Sequence, residues 1–219
     1  MDKKFNWIST ILLVILFSNC SLYGQSENFD YGSVTENIYT NDYFKCKIEI
    51  PENWVVQSRE RTDQIADLGK ELIAGDNQKL KSVIKVSNVN TVNLLCAFQH
   101  ELGYTVDYNP NIIVVAENVI RYPEIKSGRD FLFQSKRLMK QSQFKYDYVS
   151  DEFERIKISG VEFYKMEAHM NIMGTEVKQM FYSTIRERFS FNIVISYVTE
   201  SQKEILLESL DSLKFNAVK

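Results

Sequence analysis

The sequence predicts an α+β fold, an α-β-α sandwich with a central antiparallel sheet flanked by helices. Three observations predict it. Phe44, Cys46, Ile48 and Ile50 alternate with Lys45, Lys47 and Glu49, the period of two that marks a half-buried strand. Two later runs, Val92 to Phe98 and Ile112 to Val119, are apolar on both faces, so they need cover above and below. Helical spacings occur before, within and after a long strand-rich stretch from Phe153 to Val198.

The elements follow in order. Residues 25–36 are polar and are expected to be disordered; a single domain is expected over 37–219. After the first strand, Pro51-Glu52-Asn53 makes a turn and Trp54-Val55-Val56 starts a second strand. Ile65, Leu68 and Leu72 fall at helical spacing, with Gly75-Asp76 as the stop. Leu80, Val83 and Ile84 suggest another short helix. Ser127 with Asp130 reads as a helix N-terminus whose apolar face is Phe131, Leu138 and Met139. Ser159-Gly160, Met173-Gly174 and Arg186-Glu187-Arg188 read as tight reversals between strands. Thr199 and Gln202 match a capping box, and Leu206, Leu210 and Leu213 form the stripe of the last helix.

The N-terminus points outside the cytoplasm. Lys3 and Lys4 precede an apolar run from Ile8 to Phe17, then a polar stretch ending at Gly24, the order of a secretory signal peptide over residues 1–24. The run is too short for the roughly 20 residues of a membrane span. Two endings compete: cleavage before Gln25, and a bacterial lipoprotein box in which Cys20 is the lipidation site. The expected location is therefore periplasmic or secreted, or anchored to the envelope through Cys20. The chain has 219 residues and a formal net charge of −3; without the leader's Asp2, Lys3 and Lys4 the remainder stands at −4. No basic excess exists to attract nucleic acid.

Chemistry-bearing residues are few. The cysteines that remain after export, Cys46 and Cys96, lie in apolar strand-like runs; export permits a disulfide between them, and both also suit buried free thiols. There are two histidines. His100 beside Glu101 would need a nucleophile and an orienting acid to act in a dispersed hydrolytic site. Met166, His169, Met170 and Met173 are soft copper ligands, but strand alternation sends Met166 and Met170 to one face and His169 and Met173 to the other, so they do not converge. Tyr104, Tyr108, Asn109 and Asn111 form a polar-aromatic candidate contact loop. No nucleophile elbow, phosphate loop or paired metal motif is present, and no cofactor is expected.

Tyr39-x-Asn41-x-x-Phe44 running into Ile50-Pro51-x-x-Trp54, the turns at Gly160 and Gly174, and the closing Leu210-x-Ser212-Leu213-Lys214-Phe215 resemble the PsbP-like family, which includes the photosystem II PsbP subunit and DcrB-type bacterial envelope proteins. The likeness spans roughly residues 36–215. It implies the same sandwich and a non-enzymatic domain, and it transfers no catalytic residue. The expected function is an exported, non-catalytic binding or assembly module of the bacterial cell envelope, its partner an envelope protein or small ligand. The alternatives are a small-molecule carrier with an apolar pocket between sheet and helix, and a hydrolase near His100.

Overall fold

The strands fall into two antiparallel sheets. A computed structural model describes residues 29–78, 80–82 and 91–216. The leader expected over 1–24 with Cys20, residues 25–28, Val83 and Ile84 lie outside the described residues, as does the side chain of Leu72.

The small sheet holds β1 (Ser33–Thr35), β2 (Ile38–Asn41), β3 (Cys46–Glu49) and β12 (Lys214–Phe215) in the order β1-β2-β3-β12. The large sheet runs β4 (Val55–Val56), β5 (Thr91–Phe98), β6 (Asn111–Asn118), β11 (Phe189–Tyr197), β10 (Thr175–Arg186), β9 (Val161–Ile172), β7 (Tyr148–Val149), with β8 (Glu154–Ile158) also paired to β9. Three helices with complete bounds are α1 (Arg59–Ala74), α2 (Gly128–Met139) and α3 (Glu200–Asp211). Leu80 continues in helical backbone after α1 and is buried.

Helices cover both faces of the large sheet, as the apolar runs require. Ile65 of α1 and Phe131, Leu132 and Met139 of α2 pack with Cys96, Ile113, Phe181 and Val194 on one face. Leu206 and Leu210 of α3 pack with Ile193, Ile195 and the small sheet's Tyr39, Cys46 and Ile48 on the other. The added feature is this small sheet. The Phe44–Ile50 strand does not join the central sheet; it pairs with β2 and β12 and shares the second face with α3.

Local signals account for most boundaries. The Ser127 hydroxyl accepts from the Asp130 N–H while the Asp130 carboxylate accepts from the Ser127 N–H, a complete capping box; Thr199 and Gln202 repeat it at α3. The reversals Ser159-Gly160, Met173-Gly174 and Glu187-Arg188 each place both residues at positive φ, the two-residue turn whose twist matches paired strands. On α1 the buried stripe runs through Thr62, Ile65, Ala66 and Ile73, and Leu68, expected on it, is 44% exposed. The buried line runs through residues 62, 66, 69 and 73, and Leu68 lies well to one side of it.

Two further expectations are corrected. Within the stretch expected to be disordered, the described residues are ordered: Asp30 accepts hydrogen bonds from the backbone N–H groups of Gly32, Asp42 and Tyr43, and Phe29 and Tyr31 pack on the core. One short acid thus pins the N-terminal strand to the β2–β3 turn. Cys46 and Cys96 are free and buried, and they belong to cores on opposite faces of the large sheet, so no bridge joins them. Burial pushes the Cys46 thiol up to about 12, which makes it a packing group rather than a nucleophile.

Candidate functional site

A broad cleft sits where the two layers of the second face meet. Its walls come from the end of β3 and the following turn (Glu49, Ile50, Pro51, Glu52, Asn53, Trp54), the residues after β5 (Gln99, His100), and α3 (Ile205, Glu208, Ser209). The volume is about 670 Å³, within the range that holds a ligand or several partner side chains. Pro51 ends the β3 strand and the chain turns through Asn53, at positive φ, to present Trp54. Among the described residues three carboxylates, Glu49, Glu52 and Glu208, line the cleft, and no lysine or arginine does.

Hydrogen bonds hold its walls in place. Ser209 Oγ donates to the Glu49 carbonyl. Ser212 Oγ accepts from the Glu49 N–H at 2.7 Å and donates to the Ser209 carbonyl at 2.6 Å. These two hydroxyls fasten the end of α3 to the edge of the small sheet and fix the cleft's width.

His100 does line this cleft, as a hydrolase would require, but the partners of a catalytic histidine are not assembled. Its ring stacks on Tyr104 at 4.8 Å, with 19° between the planes. Among the described residues its ring makes no hydrogen bond to a carboxylate or hydroxyl. The nearby hydroxyl, Ser209, is committed to the α3 latch. Glu101 is not among the lining residues.

The expected contact loop is divided by the structure. Tyr104 is 59% exposed. Tyr108, Asn109 and Asn111 are buried instead. The Asn109 side chain accepts from the His100 N–H and donates to the His100 carbonyl, replacing a missing backbone partner at the end of β5. Asn111 Nδ2 donates to the Tyr108 hydroxyl and the Asn109 carbonyl. These amides build the loop that holds His100 rather than offering contacts. The methionine run behaves as alternation predicts: Met166 and Met170 are buried under the helices, while His169 lies on the other face near Glu176 and Tyr148. No group of three or more His, Cys, Asp or Glu placed to hold a metal occurs among the described residues. No described helix is long and apolar enough to cross a membrane.

Sequence reasoning did not single out the cleft residues Glu49, Glu52, Ile205, Glu208 and Ser209. The one local hint was an aromatic, Trp54, set directly after an acid-bearing Pro51-Glu52 turn.

No family model matches the chain, and no curated protein sequence does. Solved structures do. The chain is similar in structure to cyanobacterial PsbP. That protein, CyanoP of Synechocystis sp. PCC 6803, is 11% identical, with 89% of this chain and 99% of that one covered and a TM-score of 0.48. LpqN of Mycobacterium tuberculosis, described as involved in cell envelope biogenesis, is 6% identical over 77% of this chain and 82% of that one, with a TM-score of 0.42. A protein from Bacteroides thetaiotaomicron is 10% identical over 79% of this chain, with a TM-score of 0.44; the match spans 46% of its length. PsbP, the family that the sequence resembles, is thus among the similar structures, while the α+β architecture rests on the elements described above.

Proposed function

We propose that the protein is an exported, non-catalytic binding module of the cell envelope that takes a cationic segment of a partner protein in the cleft between α3 and the β3–β4 turn. The cleft itself carries this reading. An apolar floor of Ile50, Pro51 and Trp54 beneath three carboxylates suits a chain segment whose lysine or arginine side chains lay their stems on the floor and their charges on the rim. Trp54 supplies the broad, rigid contact area of an interface anchor. The locked Ser209 and the stacked His100 support binding over catalysis. Export rests on the leader read in the sequence.

Crosslinking and affinity purification from the native envelope test this, with mass spectrometry of bait and prey. The expected result is a reproducible partner whose crosslinked peptide is rich in lysine or arginine and is lost with an E52K/E208K bait. A partner retained equally by that bait, or no partner at all, contradicts the reading. The intact mass of the bait reports the N-terminus, and a lipid on Cys20 would distinguish the anchored form from the soluble one.

A further inference from the structure

A second, smaller cavity lies apart from the cleft, where the start of α1 meets β5 and the small sheet. Its volume is about 230 Å³. The walls are mainly apolar: Val34, Val56, Leu94 and Leu95, with the rings of Tyr31 and Tyr39. Among the described residues one cation lines it. Arg59, the first residue of α1, lays its guanidinium over the Tyr31 ring at 3.5 Å and makes no ion pair among the described residues. Asp30 is engaged by three backbone N–H groups and Asp63 by Asn93 Nδ2 at 2.8 Å, while the exposed Glu60 feels the Arg59 charge without forming an ion pair with it among the described residues. None of these carboxylates lines the cavity.

The β5 wall is irregular at the same place. Its register with β6 shifts between Asn93 and Leu95, a bulge of the kind that re-aims side chains beside sites. Asn93 is 7% exposed and also lines the cavity, and its Oδ1 accepts no hydrogen bond among the described residues. A carboxylate has no donor to offer this acceptor, so a ligand's charge is excluded from the Asn93 end and belongs at Arg59.

We infer that this cavity is a binding site for a small carboxylate with an apolar body, the body between β5 and the small sheet and the carboxylate on Arg59. At about 30 Å³ per water-sized group the cavity holds roughly eight non-hydrogen atoms, so the ligand is smaller than the drug-sized molecules of ordinary pockets. An unpaired guanidinium on an aromatic face selects a planar anion. The class is therefore an aromatic or branched short-chain carboxylate. The site is independent of the cleft and of the partner proposed there.

Benzoate and benzyl alcohol share an apolar ring and differ in the charge, so the pair separates the two parts of the inference. Each is titrated into the protein as purified from the producing cell, followed by backbone amide NMR. The expected result is benzoate binding about tenfold tighter than benzyl alcohol, with shifts centred on Arg59, Thr62 and Leu94 to Cys96. In Arg59→Gln, which alters an exposed side chain and leaves the fold intact, that tenfold difference disappears. Equal affinity of the two probes in the unaltered protein, benzoate binding unchanged by Arg59→Gln, shifts centred on Trp54 and Glu208, or no binding of either probe would each overturn the inference.

Discussion

The two faces of the large sheet are covered in different ways. On the face under α1 and α2, cover is continuous enough to bury polar side chains outright: Asn111, Gln179, Ser183, Asn192 and Ser196 are all 1% exposed or less. Gln179, Ser196 and Asn111 stand opposite one another across β10, β11 and β6. On the other face the inward residues of the same strands are mostly apolar, such as Tyr182, Ile193 and Ile195, with Thr184 the buried polar exception on β10, yet the cover there is a patchwork of α3 and the small sheet. The cleft opens at the seam of that patchwork. A matched pair of helices seals a face, whereas two unlike layers leave an edge between them, and the edge is where a partner can enter.

Changes on each face should reveal the difference. The largest effect is expected at Leu206, fully buried on the inner side of α3. Leu206→Ala should cost about 3 kcal/mol, the sum of lost burial and a cavity, measured by urea unfolding. On the sealed face, Gly128 opens α2 directly against β10, where a Cβ would overlap the Ser183 carbonyl. Gly128→Ala should cost about 2 kcal/mol, because backbone rather than a flexible side chain must move. If Gly128→Ala is harmless, the helix pair is less tightly seated than the comparison requires.

The seam responds differently. Ser212→Ala removes the acceptor of the Glu49 N–H and should cost about 1 kcal/mol. It should also raise amide exchange at Glu49 and Ile50 without changing exchange in α2. Equal protection at the seam before and after the change would show that the hydroxyl latch does not set the cleft.

The smallest effect is a pH-dependent one at the α2 cap. Burial opposes ionisation of Asp130, but hydrogen bonds from the Ser127 hydroxyl and from the Lys126 and Ser127 N–H groups outweigh it and hold the carboxyl below its usual 3.8. A carboxyl whose folded value is depressed stabilises the fold above its unfolded value and loses that contribution as pH falls through the folded one. Asp130→Asn should therefore cost about 0.5 kcal/mol near neutrality, reduced by solvent screening at this partly exposed site. The difference should fade as the solution is acidified below the usual carboxylate range. A difference that persists in acid would assign the effect to packing instead.

What was legible in the sequence was local. Ser127 with Asp130 and Thr199 with Gln202 announce helix starts because cap and donor lie three residues apart. The turns at Ser159, Met173 and Glu187 are bounded by strands that pair with their neighbours. The small sheet was not legible as a separate layer: β12 is two residues long and meets β3 far across the chain. The cleft was hidden for the same reason, since Trp54, His100 and Glu208 meet only through tertiary packing. Asn109 and Asn111 read as loop contacts because turn-rich polar residues are usually exposed. Here their amides satisfy backbone and the Tyr108 hydroxyl inside the protein.

The cleft's role is open to a direct optical measurement. The sequence contains two tryptophans, Trp7 in the expected leader and Trp54 in the cleft, so a chain beginning at Gln25 reports from the cleft alone. Its intrinsic fluorescence is followed while a short lysine- and arginine-rich peptide, or its glutamate-substituted counterpart, is added. A saturable change is expected with the cationic peptide only, weakened by salt and by Glu52→Gln with Glu208→Gln. The same response to both peptides, or none to either, would contradict the cleft's proposed role.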